Sequence, residues 1–322
     1  MADWIVGPDE GGRTLCNVVP SMLAAMGTPG FTDVRGLPAI VFLVDGLGWG
    51  LLNDYAADAP MLASLASRPP LTAGFPTTTA TSIASLGTGM PAGRHGIMGY
   101  TFAEPSGGLL HPLGWRRHDG DRHNLLDEWP PEHAQPHESM FDRALDGGVR
   151  VHNISPSHFD GTGLTRAALR GAEFVGVRAE GDLLAELLAR VGADEPTLCY
   201  GYHSHLDLLG HLHGPGSLPW RLQLSRIDSL LGMLVEQLPP AVTLAVVADH
   251  GMVTIDPAAK VDADREPALL EGVRLLGGEA RARHVYTRTG ARADVHAAWE
   301  ERLGERGVVV TADPAKPRKT RV

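Results

Sequence analysis

Cysteine is almost missing: Cys16 and Cys199 are the two in 322 residues, far apart and in apolar surroundings. That placement predicts two buried thiols rather than a bridge or a cysteine metal site. No window holds the about 18 consecutive apolar residues of a membrane span. The opening MADWIVGPDEGG carries acids early and has no basic segment ahead of an apolar run. A soluble, cytoplasmic chain without a membrane partner is the expectation. Positive charge is in deficit, 28 Lys plus Arg against 38 Asp plus Glu, a formal charge of −10. That balance leaves no basic surface of the size that duplex nucleic acid requires. Internal repeats and low-complexity linkers are missing too, which favours a single domain.

Hydrophobic residues make up 43% and charged residues 20%, enough apolar material for a sizeable core. Residues 38–45, PAIVFLVD, form an apolar run between Pro38 and the glycines Gly46 and Gly48, and predict a buried strand ending at an acid. Thr197 to Tyr202 and Val242 to Ala248 read the same way, the latter running into Asp249-His250-Gly251. Val149 to Ile154 and Val308 to Val310 are shorter strand candidates, and 272–288 reads as a hairpin. Helical patterns fall at 61–68, Ala80 to Gly89, Met140 to Leu145, Leu183 to Val191 and Ala293 to Leu303. A further helix begins at Pro219 with an apolar face of Leu222, Ile227, Leu230, Leu231 and Leu234. Strands alternate with helices, so the expected class is α/β, an open, mostly parallel sheet sandwiched by helices. Residues 102–135, rich in Gly, Pro, His and Trp without a period, predict an insertion or lid. The whole irregular insertion is placed at about 102–175 within one domain over 1–322.

Polar clusters sit where three apolar strands end: Asp45, the group around Asp207, and Asp249-His250. In open α/β sheets functional groups gather beyond the carboxyl ends of strands, so these clusters can converge. In YHSHLDLLGHLHG, Asp207 and His211 stand at i, i+4, on one helical face, with His203, His205 and His213 close by. Carboxylate oxygen with imidazole nitrogen suits zinc or a similar transition ion better than magnesium or calcium. Thr77, Thr78 and Thr79 precede a run of small residues that predicts a helix. Hydroxyls at a helix N-terminus can cap it, or can meet an anionic ester there. Two ions near such a hydroxyl would lower its pKa and stabilise a phosphoryl displacement.

Three blocks carry a resemblance: VFLVDGLGWG, FPTTTATSIASLGTGMPAGRHGI, and YHSHLDLLGHLHGPGS followed by VVADHGM. Together they resemble the alkaline phosphatase superfamily in its nucleotide pyrophosphatase/phosphodiesterase branch. The resemblance implies an alkaline phosphatase-like fold and two divalent metal ions, zinc by type. Asp45, Asp249 and His250 would hold the ion that also binds the nucleophile, and Asp207 and His211 would hold the other. The attacking residue would be the second threonine of the pattern Phe-Pro-Thr-x-Thr, here Thr79, with Thr77 and Thr78 left open as alternatives. The implied reaction is hydrolysis of phosphate diesters or nucleotide pyrophosphates through a phosphothreonine, with a small-molecule phosphate ester or nucleotide as partner.

The chain departs from that pattern in two places. Tyr100 stands where many members place an Asn that holds a phosphate oxygen, which leaves a phosphomonoesterase as an alternative. The His-Gly motif near the C-terminus, which supplies the third ligand of the second ion, is absent from VVVTADPAKPRKTRV. That predicts a chain cut short or altered after about residue 312, and admits an impaired remnant that binds a phosphorylated ligand. Of the histidines beyond His250, His284 is better placed than His296 to substitute, against a plain reading as a half-exposed strand residue. A Cys/Ser-x-Pro-x-Arg sulfatase motif is not seen, and there is little room for the large inserted domain of metal-dependent phosphoglycerate mutases.

Overall fold

The computed structural model describes residues 13–27, 38–66, 70–118, 122–192 and 195–311. In chain order its strands are β1 (Ala39–Val44), β2 (Phe102–Ala103), β3 (Leu109–His111), β4 (Arg116–Arg117) and β5 (Arg150–Pro156), then β6 (Glu173–Val177), β7 (Thr197–His203), β8 (Thr243–Val247), β9 (Val273–Gly278) and β10 (Arg283–Thr287). Five of them form a central sheet in the order β6-β5-β7-β1-β8. Every neighbouring pair in it is parallel. The expected α/β architecture, an alkaline phosphatase-like sheet between helices, is the one found.

The uninterrupted apolar run of β1 follows from its place inside that sheet, because both of its faces are covered. Ala39, Val41 and Leu43 join one core with the helices Val18–Ala25, Thr79–Thr88, Met140–Asp146 and Gly163–Ala168. Ile40, Phe42 and Val44 join the other, against the helices Glu180–Val191 and Leu218–Gln237. Side chains alternate across a strand, so one six-residue run supplies both cores. Each fully buried Leu, Ile or Phe there contributes about 1.5–3 kcal/mol of transfer free energy. In the helix Leu218–Gln237 the buried face is Trp220, Leu224, Ile227, Leu230, Leu231 and Leu234. Leu222, expected on that face, points outward at 62% exposure.

The stretch 102–175, expected as one insertion, divides. Arg150–Pro156 and Glu173–Val177 are strands of the central sheet itself, so the later part belongs to the main fold. The earlier part forms a three-stranded antiparallel sheet, β2-β3-β4. It is not a loose cover, since Phe102, Leu110, Trp115 and Leu125 all enter the main core. The hairpin of β9 and β10 lies beside it, Thr101 Oγ1 donating to Gly278 O at 2.9 Å and Ala103 N to the Tyr286 hydroxyl at 2.9 Å. Val308–Val310 forms no strand; Val309 packs instead on the small cluster of Leu269, Val295 and Trp299. The basic C-terminal run, with the expected break after about residue 312, lies outside the described residues.

One buried histidine near the threonine helix makes stability pH-dependent. His95 Nδ1 accepts from Ile97 N at 3.1 Å, so the neutral ring carries its proton on Nε2, 3.0 Å from Ser85 Oγ. Burial, with the nearby His137 adding to it, pushes the His95 pKa down to about 4 from 6.5. Between those values the unfolded chain binds a proton that the folded chain refuses. The contribution is therefore intact above pH 6.5 and is lost as pH falls toward 4, about 3 kcal/mol in all. Urea unfolding should show wild-type stability falling across that range more steeply than that of His95→Gln. Equal slopes would mean that His95 does not oppose protonation.

Candidate active site

Three neighbouring strands, β7, β1 and β8, end at the same edge of the sheet. Asp45 follows β1, Asp207 lies in the first turn of the helix His205–His213 after β7, and Asp249-His250 follow β8. Asp45 N donates to His203 O at 3.0 Å, holding the chain beside β7 one residue past the end of β1. Gly46 then turns with φ +77°, a left-handed conformation that a side chain disfavours, and its N donates to Asp249 Oδ1 at 3.1 Å. A Cβ at position 46 would also lie 3.1 Å from Asp207 Cβ. At position 48 a Cβ would lie 2.5 Å from Gly251 Cα, so any larger residue there drives the β1 and β8 loops apart. These two glycines let the acids of three distant segments meet.

The threonine segment closes the cluster from the side. Thr78 is the N-cap of the helix Thr79–Thr88, and that helix is pinned to β8 by Ser82 Oγ donating to Asp249 O at 2.7 Å. Thr79 Oγ1 lies 3.0 Å from His250 Nε2. The other two hydroxyls are turned away: Thr77 Oγ1 donates to Gly74 O at 3.0 Å, and Thr78 Oγ1 to Thr81 Oγ1 at 3.3 Å. Thr79 is thus the threonine of the three that faces the acids.

His250 Nδ1 faces Gly251 O at 3.0 Å and therefore carries the proton in the neutral ring. Its Nε2 lone pair points into carboxylates, 3.3 Å from Asp45 Oδ1, 3.6 Å from Asp249 Oδ2 and 3.9 Å from Asp207 Oδ1. Those same three oxygens are buried without a hydrogen-bond donor. Burial first, then the charges of Asp249 and Asp207, raises the Asp45 pKa well above the usual carboxylate range, against a hydrogen bond from the Tyr202 hydroxyl. Burial likewise raises that of Asp207, partly opposed by His211 and His250. Ligand atoms of Asp45, Asp207 and His250 lie within 4.8 Å of one another. Converging lone pairs of oxygen and nitrogen, short of donors and held close despite their repulsion, fit a borderline divalent cation.

His211 Nε2 lies 3.4 Å from Asp207 Oδ1 on the outer, 69% exposed side of the cluster, so Asp207 borders both groups of residues. His284 is occupied elsewhere, its Nε2–H donating to Met98 O at 3.1 Å. A second grouping, Glu180, His203 and His205, lies nearby. Its carboxylate is already met by Arg226 at 3.0 Å and Gln223 at 3.2 Å, which makes it a neutralised ion pair. Two contributors escape sequence reasoning. Ser82 fixes the helix, and Tyr202, whose place two residues before the strand-loop junction was the available signal, donates to Asp45.

A parallel α/β sheet whose strand ends gather acids, a histidine and a helix-borne threonine defines the alkaline phosphatase type of architecture. The chain belongs to the type I phosphodiesterase / nucleotide pyrophosphatase family, whose model matches residues 39–319. It is 26% identical over 248 residues to an uncharacterised pyrophosphatase/phosphodiesterase of Schizosaccharomyces pombe, covering 69% of this chain and 46% of that protein. With ectonucleotide pyrophosphatase/phosphodiesterase 1 of Saccharomyces cerevisiae it shares 25% identity over 215 residues, 59% of this chain and 29% of that protein. The chain thus spans less than half the length of these curated relatives. Among solved structures, an inactive threonine-to-alanine variant of murine ectonucleotide pyrophosphatase / phosphodiesterase 5, in complex with AMP, superposes with a TM-score of 0.60 at 18% identity, covering 81% of this chain and 69% of that one. Phosphonoacetate hydrolase from Sinorhizobium meliloti gives 0.59 at 17% identity, covering 84% and 77%. At such identities the likeness concerns the fold. Among the described residues no helix is long and apolar enough to cross a membrane.

Proposed function

We propose that this chain hydrolyses phosphate diesters or nucleotide pyrophosphates through a phosphothreonine formed on Thr79. The observation that carries this reading is the Thr79 hydroxyl, 3.0 Å from His250 Nε2 beside three donor-starved carboxylate oxygens. Asp45, Asp249, His250 and Thr79 would hold one divalent cation, and Asp207 and His211 a second, zinc by donor type. Cations bound there supply Lewis acidity, which lowers the pKa of a hydroxyl and offsets the charge of a phosphoryl group.

The protein's own part is placement. Thr79 Oγ gives up its proton to solvent and attacks phosphorus, the bond to the leaving oxygen breaks, and the departing alcohol or phosphate takes a proton from solvent. Water then cleaves the Thr79 Oγ–P bond and regenerates the hydroxyl. First-turn N–H groups of the helix Thr79–Thr88, without intrahelical acceptors, offer donors to the phosphate oxygens at its N-terminus. Gly46, Ser82 and Tyr202 keep acids and nucleophile in register, so little reorganisation accompanies the reaction. The relatives' names, and AMP in the murine structure, support a phosphate ester as substrate.

The test compares kcat/KM for a mono- and a diester of one leaving group, before and after treatment with a chelator. The diester should be favoured, and activity should vanish on chelation and return with zinc. A clear monoester preference would move the chain to the phosphatase reading. Turnover of neither ester by zinc-loaded protein would favour binding of a phosphorylated ligand without catalysis.

A further inference from the structure

Around Thr79 the side chains that face the acid cluster each present a single atom. Asp249 Oδ1 accepts from the backbone N–H groups of Gly46 at 3.1 Å and His250 at 3.0 Å, while its Oδ2 is buried without a donor. His250 Nδ1–H is spent on Gly251 O at 3.0 Å, which leaves the Nε2 lone pair. Asp45 Oδ2 accepts from the Tyr202 hydroxyl, and its Oδ1 is bare. The Thr79 hydroxyl adds one oxygen, 3.0 Å from His250 Nε2. Backbone groups hold Asp249 and His250, so no side-chain substitution releases them. Asp45 differs, because a side chain holds it.

Tyr202 is itself fixed for that task. In the parallel pairing of β1 with β7 it stands opposite Leu43, two residues before Asp45. Side chains two apart share a face, so ring and carboxylate emerge on the same side of the sheet. Asp45 N, donating to His203 O at 3.0 Å, sets the backbone spacing. The Tyr202 ring lies edge-on to Phe159, with centroids 5.7 Å apart at 77°, and nearly parallel to Tyr200, at 6.4 Å and 20°. At 7% exposure its hydroxyl has little water to turn to. Tyr200, two residues earlier on the same face, buries a hydroxyl that has no hydrogen-bond partner among the described residues. It offers the natural contrast.

A carboxylate with one oxygen tied cannot grip an ion with both. Zinc favours a tetrahedral set of donors, which single-atom ligands supply. Manganese(II) favours an octahedral set of oxygen-rich donors and would gain from a second carboxylate oxygen.

We propose that Tyr202 is a positioning residue that sets the choice of cation. By holding Asp45 Oδ2 it keeps Asp45 a one-oxygen ligand, and so biases the site beside Thr79 toward tetrahedral ions over octahedral ones. The proposal rests on the cation reading above and adds a selectivity to it.

Tyr202→Phe keeps both ring contacts and removes the hydroxyl alone, and a melting curve in chelator checks the fold. All proteins compared carry His211→Ala, which confines the readout to the site beside Thr79. Competition with a chromogenic chelator gives the zinc and manganese(II) affinities. In Tyr202→Phe the zinc affinity should fall about tenfold, the scale for losing an outer partner of a ligand, while the manganese(II) affinity holds or rises. Cobalt(II) gives a second readout without turnover, since its tetrahedral complexes absorb visible light far more strongly than its octahedral ones. Bands should be intense with Tyr202 in place and weak in Tyr202→Phe. Tyr200→Phe removes the neighbouring hydroxyl and should leave both readouts unchanged. Equal losses of zinc and manganese(II) affinity in Tyr202→Phe overturn the proposal, as does the same shift in Tyr200→Phe. Weak cobalt bands with Tyr202 in place overturn it without recourse to any Tyr202 variant. If the protein with Tyr202 in place binds no zinc, the cation reading falls and this proposal with it. Bound zinc with an unchanged cation preference in Tyr202→Phe removes this proposal alone.

Discussion

Replacing Thr79 with alanine should lower kcat by about a thousandfold or more, the usual scale for losing a covalent nucleophile. Such a fall corresponds to about 4 kcal/mol of barrier. The substitution removes a half-buried hydroxyl at the first position of the helix Thr79–Thr88 and leaves the Ser82 contact to Asp249 O intact. Alanine has a higher helix propensity than threonine, so the fold should survive and a melting curve should show it. Thr77→Ala and Thr78→Ala provide the contrast, because their hydroxyls are directed to Gly74 O and Thr81 Oγ1 instead. A loss smaller than about tenfold for Thr79→Ala would remove it from the reaction and return attention to water as the attacking group.

Asp45→Asn should weaken zinc binding by about a hundredfold, or about 2.7 kcal/mol, in a competition with a chromogenic chelator. Asparagine can still accept from the Tyr202 hydroxyl, but it then turns an N–H₂ group toward the site where Asp45 Oδ1 now stands bare. Turnover should fall in parallel. Stability without metal should move the other way. An acid whose folded pKa is raised binds its proton better when folded, so metal-free stability is greatest at low pH and declines as pH rises from 3.8 through the raised value. At neutral pH the wild type carries that penalty and Asp45→Asn does not. The variant should therefore melt higher than wild type in chelator and lower than wild type in zinc. If the two melting orders agree, Asp45 is not a ligand.

Much of this arrangement is readable from the residues alone, for a physical reason. β1 and β7 are covered on both faces, so they appear as unbroken apolar runs, and a polar residue at the end of such a run marks the sheet edge. Asp45, Asp207 and Asp249 all stand at such transitions, and Thr79 is marked by the small-residue helix behind it. The place of β5 and β6 is less legible. β5 buries His152, Asn153 and Ser155, which interrupt the apolar signal, and β6 is an edge strand with half-exposed residues. Strands as short as β2 and β4, of two residues each, have no period to detect.

The strand order has a consequence for biosynthesis. Among the described residues β1 is the first strand, yet its two partners in the sheet are β7 and β8, which begin at Thr197 and Thr243. At a ribosomal rate of about 5–20 residues per second, a wait of about 10 to 40 seconds separates its emergence from that of β8. Until β7 emerges, six apolar residues with unpaired edges on both sides must be shielded by something other than their native neighbours, and the edge that takes β8 stays open to the end of that interval. Asp45 and Asp249 cannot meet before then, so the acid cluster of a nascent chain is incomplete. A ribosome stalled before β8 would therefore hold an apolar intermediate with an open sheet edge, and synthesis through residue 250 completes sheet and acid cluster together.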